Sequence, residues 1–470
     1  MSTQRLPFHE RVEKALADPV LKKAVPLAQD KFRAGRIAAA ELVGNFEEWR
    51  DHVSAIRMHT IENLDSYIEQ FATNVRKKGG HVHFADTADE AVQIITGIAK
   101  EKGAKTVVKS KSMVSEEMHL NKHLEEMGVR VVETDLGEYI IQLADETPSH
   151  LIAPAIHKTR KEVSELFSEV AGRQLSQETT ELCSFAREKL REEFLNADIG
   201  ISGCNFAVAE SGSVVLISNE GNARLTTTLP KTHIVMMGME RIVPGWQELD
   251  MVVSMLTRSA TGQKISVYVT GINSPRKEAD LDGPDDVHIV IIDNGRSKIL
   301  GTAYQEALKC IRCGACLNVC PVYRHIGGHA YGGVYSGPIG AVLSPLFDGY
   351  EEFKELPYAS SLCGACTEVC PVKIPLHELL IEHRKDEVEQ GFTPASEKLA
   401  FKGFGYVTSH PTVYDLAVKM AHTGMGVMAK DGVITSGPGM LGGWTDVRDL
   451  PQPAKQSFRD WWKKEGKDRG

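Results

Sequence analysis

The stretch CIRCGACLNVCP, residues 310–321, returns fifty residues later as SSLCGACTEVCP, residues 360–371. The two align without a gap: Cys313 on Cys363, Cys316 on Cys366, Cys320 on Cys370, and Pro321 on Pro371. One column changes in kind, where Cys310 meets Ser360. Seven of the nine cysteines lie in this window. A secreted disulfide scaffold spreads its cysteines through a short chain, so seven gathered in one part of a 470-residue chain favour metal ligation.

Cys310, Cys313, Cys316 and Cys320, followed by Pro321, have the C-x2-C-x2-C-x3-C-P spacing of bacterial-type ferredoxins. Two-residue gaps let the backbone curl around an iron–sulfur cube, and Gly314 eases the curl because glycine tolerates positive φ. The fourth thiolate of such a run points away and, in two-cluster ferredoxins, ligates the other cube. The first cluster is therefore expected on Cys310, Cys313, Cys316 and the distant Cys370. The second is expected on Cys363, Cys366 and the distant Cys320. Zinc also binds C-x2-C pairs, but it wants four ligands, and seven cysteines in a three-plus-one pattern suit two cubes better. The 42 residues between the motifs, including HIGGHAYGGVYSGPIG, are expected to loop out without changing the cage.

Ser360 leaves the second cluster with three cysteines. It is then a three-iron (3Fe-4S) cluster, a four-iron (4Fe-4S) cluster with serine, another oxygen or water on the fourth iron, or an open Lewis-acid site. Alternatively Ser360 is an ordinary serine beside an empty position. Spacing alone does not choose.

The remainder has the composition of a globular protein, 42% apolar and 25% charged. At about 150 residues per domain the length suggests roughly three. A net charge of −9 gives no general basic surface for nucleic acid. No apolar run reaches the ~18–20 residues that span a bilayer. The start, MSTQRLPFHERVEKAL, has no secretory core and carries acids. A cytoplasmic chain without a direct membrane span is expected.

Apolar residues recur at three- and four-residue steps through AAELVGNFEEWRDHVSAIRMHTIENLDSYIEQFATNVRKK, which predicts a helical leader over 1–75 packed on the next domain. From residue 80, strand-like VHFAD, TVVKS and VRVVETD alternate with helical TADEAVQIITGIAKEKG, MVSEEMHLNKHLEEMG and LGEYIIQLAD. Gly103 and Gly128 read as helix stops. HLIAPA is again strand-like, and two helical stretches fill about 159–196. Strand-like IGISG, FAVAE, SVVLIS, HIVMMGM, ISVYVTGI and VHIVIID come next, with GWQELDMVVSMLT helical among them. The fold class expected is α/β: one mixed, largely parallel sheet domain over 76–296. An α-helical two-cluster ferredoxin domain occupies 297–395, and a C-terminal extension 396–470.

These segments together resemble the iron–sulfur lactate utilization protein B family. The stretches VVETDLGEYIIQLADETPSHLIAPAIH and NFAVAESGSVVLISNEGNARLTTTLPKTHI carry the likeness, with the domain order and the missing first cysteine of the second motif. The resemblance implies a central lactate-utilization domain related in fold to ribose-5-phosphate isomerases and CoA transferases. It implies electron transfer in the oxidation of L-lactate to pyruvate, supporting growth on lactate, as a non-autonomous subunit with companion proteins A and C and an unidentified electron acceptor. It carries cluster ligation over to Cys310, Cys313, Cys316 and Cys370, and to Cys320, Cys363 and Cys366. It leaves any catalytic residue unknown.

Other residues invite weaker readings. Glu210, in the turn Glu210-Ser211-Gly212, stands where a CoA-transferase nucleophile can stand, or simply in a hairpin. Asn219, Arg224, Thr226, Thr227, Thr228 and Lys231, with Lys109 and Ser110 at a strand end, suggest a ligand pocket at the sheet's edge, or plain loop chemistry. GPGMLG (437–442) fails as a nucleotide loop because Pro438 interrupts it and no convincing helix comes after it. His377 and His383 of HELLIEH lack zincin spacing and read as part of a solvated helix. Cys183 and Cys204 read as buried small hydrophobes. Trp461 and Trp462 read as a core anchor or, beside their lysines, a docking patch. The rival functions are an enzyme binding a CoA-like or sugar-phosphate-like ligand with accessory clusters, and an iron–sulfur redox sensor.

Overall fold

Six short segments rich in β-branched residues build the central sheet of the computed structural model, which describes residues 6–454 and 456–466. In chain order the strands are β1 (His81–Ala85), β2 (Thr106–Lys109), β3 (Arg130–Glu133), β4 (Ile199–Ser202), β5 (Phe206–Val208), β6 (Ser213–Ser218), β7 (Thr232–Gly238), β8 (Ile242–Val243), β9 (Tyr268–Ile272) and β10 (Asp286–Ile292). The six-stranded sheet runs β1-β10-β7-β4-β2-β3 with every neighbour parallel. Successive side chains alternate faces. Ile234, Met236, Val290 and Ile292 enter one core beside the helix Ala88–Glu101. Val235, Met237, Ile289 and Ile291 enter another with Phe71 and Val75 of the helix Leu64–Lys77. Burial on both faces explains why THIVMMG and DVHIVII read as unbroken apolar runs.

The fold is α/β with a largely parallel sheet, as expected, and the strand-rich stretch divides between two sheets. The second has the order β8-β5-β6-β9, parallel between β5 and β8 and antiparallel elsewhere. The chain divides after Glu387 into two units. In the first, one large core joins leader residues Leu21, Val25, Val53 and Ile56, sheet residues Phe206, Val208 and Val215, and cysteine-segment residues Leu317, Val342 and Leu380.

Several local expectations are corrected. HLIAPA forms turns rather than a strand. MVSEEMHLNKHLEEMG breaks into Met113–Glu117 and Leu120–Glu126, because His119 takes the left-handed conformation at φ 49°. NARLTTT is not a loop but the helix Asn222–Thr228. The insert between the cysteine motifs does not loop out. It folds as helices Pro321–Ile326 and Gly337–Asp348, and buries Tyr331, Tyr335, Ile339, Val342 and Leu343. Its glycines allow close backbone packing: a Cβ on Gly328 would stand 1.8 Å from the Ser149 carbonyl oxygen. His383 is wholly buried, not solvated. A six-residue helix, Met440–Thr445, does begin inside GPGMLG.

Candidate metal centre

The two cysteine loops repeat each other in backbone as well as sequence. Arg312 and Leu362 both have positive φ, 59° and 52°, and Gly314 and Gly364 come two residues later at 73° and 77°. The Arg312 N–H donates to Cys310 Sγ at 3.4 Å, and the Leu362 N–H donates to Ser360 Oγ at 3.0 Å. Ser360 thus holds the same local position as Cys310, with a hydroxyl oxygen where its counterpart has sulfur.

None of the nine cysteines is in a disulfide. Burial pushes the Cys313 thiol up, as do Cys370 and Cys310 beside it. Cys316 is raised by burial and then by Cys313, Cys310, Cys370 and Cys366. Cys320 has Cys363 as its thiol neighbour, and burial followed by Cys320 and Cys363 pushes Cys366 up to about 11. The fold therefore brings Cys310, Cys313, Cys316 and Cys370 together, and gathers Cys320, Cys363 and Cys366. Zinc wants four ligands around one ion, whereas seven cysteines in sets of four and three suit two cubes, each of which spreads its thiolates over several irons.

The surroundings fit anionic clusters. Besides the Cys310 contact, the Tyr323 N–H donates to Cys320 Sγ at 3.5 Å and the Ile374 N–H to Cys370 Sγ at 3.4 Å. The buried Tyr331 hydroxyl meets no nitrogen or oxygen partner and is directed at the Cys320 sulfur. A cluster sulfur there would satisfy it. Long polar side chains reach the carbonyls of both loops. Arg50 donates from Nε and Nη2 to the Cys370 oxygen at 3.0 and 2.8 Å, and Arg36 to that of Val369 at 3.0 Å. Arg241 donates to the Cys310 oxygen at 2.9 Å, and Gln29 to those of Leu317 and Cys320 at 2.7 and 3.2 Å. Arg57, wholly buried, donates to the carbonyls of Glu240, Ile242, Leu308 and Lys309. Sequence reasoning missed these residues. Their only signal is that Arg50 and Arg57 share an apolar helix stripe with Val53.

A buried ion network adjoins the first set. Arg296 contacts Glu117 at 2.6 Å and Glu240 at 2.7 Å, Arg312 stands 3.4 Å from Glu240, and Tyr335 donates to Glu117 at 2.5 Å. Burial alone would raise the Glu240 carboxyl, but Arg296, Arg312 and Arg241 outweigh it and hold it down at about 2.

Next to this network is a cavity of about 340 Å³, reached by residues after β2, β4, β6 and β7 and walled by Arg312 and Tyr335. Of the sequence candidates, Ser110, Asn219 and Cys204 line it; Lys109, Arg224, Thr226, Thr227, Thr228 and Lys231 do not. Lys109 is buried among Glu116, Glu133 and Ser115, and Thr226 lies 3.2 Å from the Thr134 hydroxyl. Glu210 accepts from the Trp246 N–H at 3.0 Å, at the start of the helix Trp246–Thr261. Cys183 and Cys204 are partly buried rather than fully so. Trp462 stacks on Phe458 and is exposed, and Trp461 lies tilted against the same ring.

Known proteins share this arrangement of segments. Residues 68–292 match the LUD domain, 306–374 the 4Fe-4S dicluster domain, and 382–467 the C-terminal domain of lactate utilisation protein B. The chain is similar to lactate utilization protein B of Shouchella clausii, 58% identical over 97% of this chain and 96% of the relative. The protein of that name from Oceanobacillus iheyensis is 55% identical over 98% and 96%, and that from Bacillus licheniformis 56% identical over 98% and 98%. A crystal structure of a DUF162 family protein from Deinococcus radiodurans covers 49% of this chain and 98% of its own, at 15% identity and a TM-score of 0.27.

Proposed function

This chain belongs to the lactate utilization protein B family, and from that premise we propose that it is the iron–sulfur electron-transfer subunit of a cytoplasmic system oxidising L-lactate to pyruvate. Its partners in this reading are companion lactate utilization proteins A and C and an electron acceptor. The observation that carries the reading is the crossed gathering of the cysteines, with Cys370 of the second motif beside the first set and Cys320 of the first beside the second. No helix among the described residues is long and apolar enough to cross a membrane.

In this assignment Cys310, Cys313, Cys316 and Cys370 hold one cluster. Cys320, Cys363 and Cys366 would hold the other, with the Ser360 hydroxyl available as a further ligand. When bound, the clusters supply one-electron exchange, which splits the two electrons of a hydroxyl oxidation into single steps. The chain's own residues place and tune them. Backbone N–H groups aimed at sulfur favour the thiolate form. Arg36, Arg50 and Arg241 fix the loop carbonyls and put positive charge beside buried anions. Cys363 is the one exposed member of the seven, which favours the second set as the point of exchange with a docking partner.

Anaerobic reconstitution followed by iron analysis and EPR, before and after dithionite, tests this reading. About eight irons per chain are expected for two four-iron cubes. Fewer than about six, after full reconstitution, would overturn the two-cluster assignment.

A further inference from the structure

Three buried donor atoms at the cysteine loops meet no nitrogen or oxygen partner: Arg36 Nε, Asn318 Nδ2 and Tyr331 Oη. Arg36 and Asn318 are held by their other polar atoms, Arg36 by donating to the Val369 carbonyl at 3.0 Å and Asn318 by contact with His150 at 3.2 Å. Tyr331 has no second polar atom in its side chain. The residue is 1% exposed, so water does not reach its hydroxyl either. Burying a hydroxyl unpaired is costly, and phenylalanine in this place would avoid the cost.

The neighbouring tyrosine gives the contrast. Tyr323, its ring centroid 6.3 Å from that of Tyr331, donates its hydroxyl to the Ser149 carbonyl at 2.8 Å. The Tyr331 hydroxyl is directed at the Cys320 sulfur instead, with Cys316 also near. The backbone beneath it is pinned. Tyr331 closes the short turn His329–Tyr331, which lies between Gly328 and Gly332. A Cβ on Gly328 would meet the Ser149 carbonyl, and one on Gly332, at φ 73°, would stand 2.7 Å from the Arg11 guanidinium. Arg11 Nε donates to the Ala330 carbonyl at 3.0 Å, and His329 Nε2 to that of Thr147 at 2.6 Å. The leader helix Phe8–Ala17 therefore holds one side of the turn and residues 147–149 the other.

A hydrogen bond to a ligating thiolate favours the state with more negative charge, the reduced one, and so raises the potential. We propose that the Tyr331 hydroxyl donates to the Cys320 thiolate and sets the potential of the second cluster, above the value its ligands alone would give. Tyr331 acts through Cys320 as a positioning residue, and on that cluster only. The proposal rests on the two-cluster reading above; the donor and its direction rest on the geometry. Its consequence is directional: electrons are drawn toward the set that holds the exposed Cys363.

The test uses the full chain, reconstituted anaerobically, with iron measured on every sample. Redox titration followed by EPR gives the two midpoints, and Cys363→Ser marks the second cluster's as the one it alters. Tyr331→Phe keeps the ring and removes the hydroxyl alone. It should keep its iron and lower the second midpoint by ~59 mV, a tenfold change in a one-electron equilibrium, with the first unmoved. Tyr323→Phe removes a hydroxyl already given to a carbonyl and should move neither. Pulsed EPR of the reduced clusters in D2O should lose one exchangeable deuteron in Tyr331→Phe, which a change of packing does not do. The proposal is overturned if Tyr331→Phe leaves the second midpoint in place, raises it, moves both alike, or moves one that Cys363→Ser leaves alone. Loss of iron in Tyr331→Phe overturns it too, by making the hydroxyl a structural requirement, as does an equal shift in Tyr323→Phe. Full iron with an unmoved midpoint defeats the part given to Tyr331 and leaves the two-cluster reading intact. A wild-type chain that loads fewer than about six irons defeats that reading, and this proposal with it.

Discussion

Ser360 differs from Cys310 by one atom type while keeping its backbone and its i+2 N–H contact. On the assignment proposed above, the hydroxyl would be a harder ligand than the thiolate it replaces. Ser360→Cys is therefore expected to keep the iron count and shift the potential of one cluster only, read by redox titration monitored with EPR. Ser360→Ala should lower iron from about eight to about seven per chain and bring out a three-iron EPR signal in the oxidised sample. Unchanged iron and spectra in Ser360→Ala would show that the hydroxyl is no ligand. Arg57 makes a prediction of a different kind. Replacing it by Met strands four buried carbonyls, and should cost roughly 3–5 kcal/mol in urea unfolding of the loaded protein. The dicluster segment was legible because ligand spacing is a local property of the chain. The role of Arg57 was not, because its partners lie 183 to 252 residues away and a sequence stripe shows a helix face without what it meets.

Elements carry their own consequences. The insert between the motifs reads as a loop because glycine and tyrosine give no helical period, yet those glycines are where backbones touch. Gly328→Ala would drive a Cβ into the Ser149 carbonyl, backbone against backbone, so no side chain can yield. It should destabilise by roughly 2–4 kcal/mol and speed iron loss to a chelator. The helix Leu376–Gln390 buries His383, whose Nε2 donates to the Val342 carbonyl at 2.9 Å while Nδ1 accepts from the Tyr350 hydroxyl at 2.7 Å. Burial lowers its pKa to about 4, against the carbonyl contact and nearby Asp386 and Glu382. In the unfolded chain it titrates near the ordinary value of about 6.5. The unfolded state therefore binds a proton first, and stability present above about 6.5 is lost as pH falls toward about 4, to a limit of about 3 kcal/mol. Urea unfolding of wild type and His383→Gln at several pH values checks the sign: the wild-type advantage should shrink on acidification. A widening gap would mean that the histidine is charged in the native state.

Across the whole molecule, the large core runs from Leu21 to Leu380 and draws on leader, sheets and cysteine segment alike. Such sharing is invisible in sequence, where each segment shows only its own period, whereas the βα alternation that set the fold class is local and was readable. The C-terminal unit is built differently. Its helices Ala395–Ser409 and Pro411–Met428 bury no residue, while Leu399, Phe401, Phe404, Leu416, Met420 and Val427 stand exposed. Exposed apolar side chains of that number would suit an interaction surface. A chain ending after Gly391 keeps the whole of the large core and all seven cysteines. It should load the same iron and show the same visible spectrum as the full chain. What it should lose is electron exchange with companion proteins, measured as reoxidation of the dithionite-reduced clusters on mixing. Full-rate exchange by the shortened chain would place the docking surface on the first unit, around Cys363, and leave the exposed helices without a part in it.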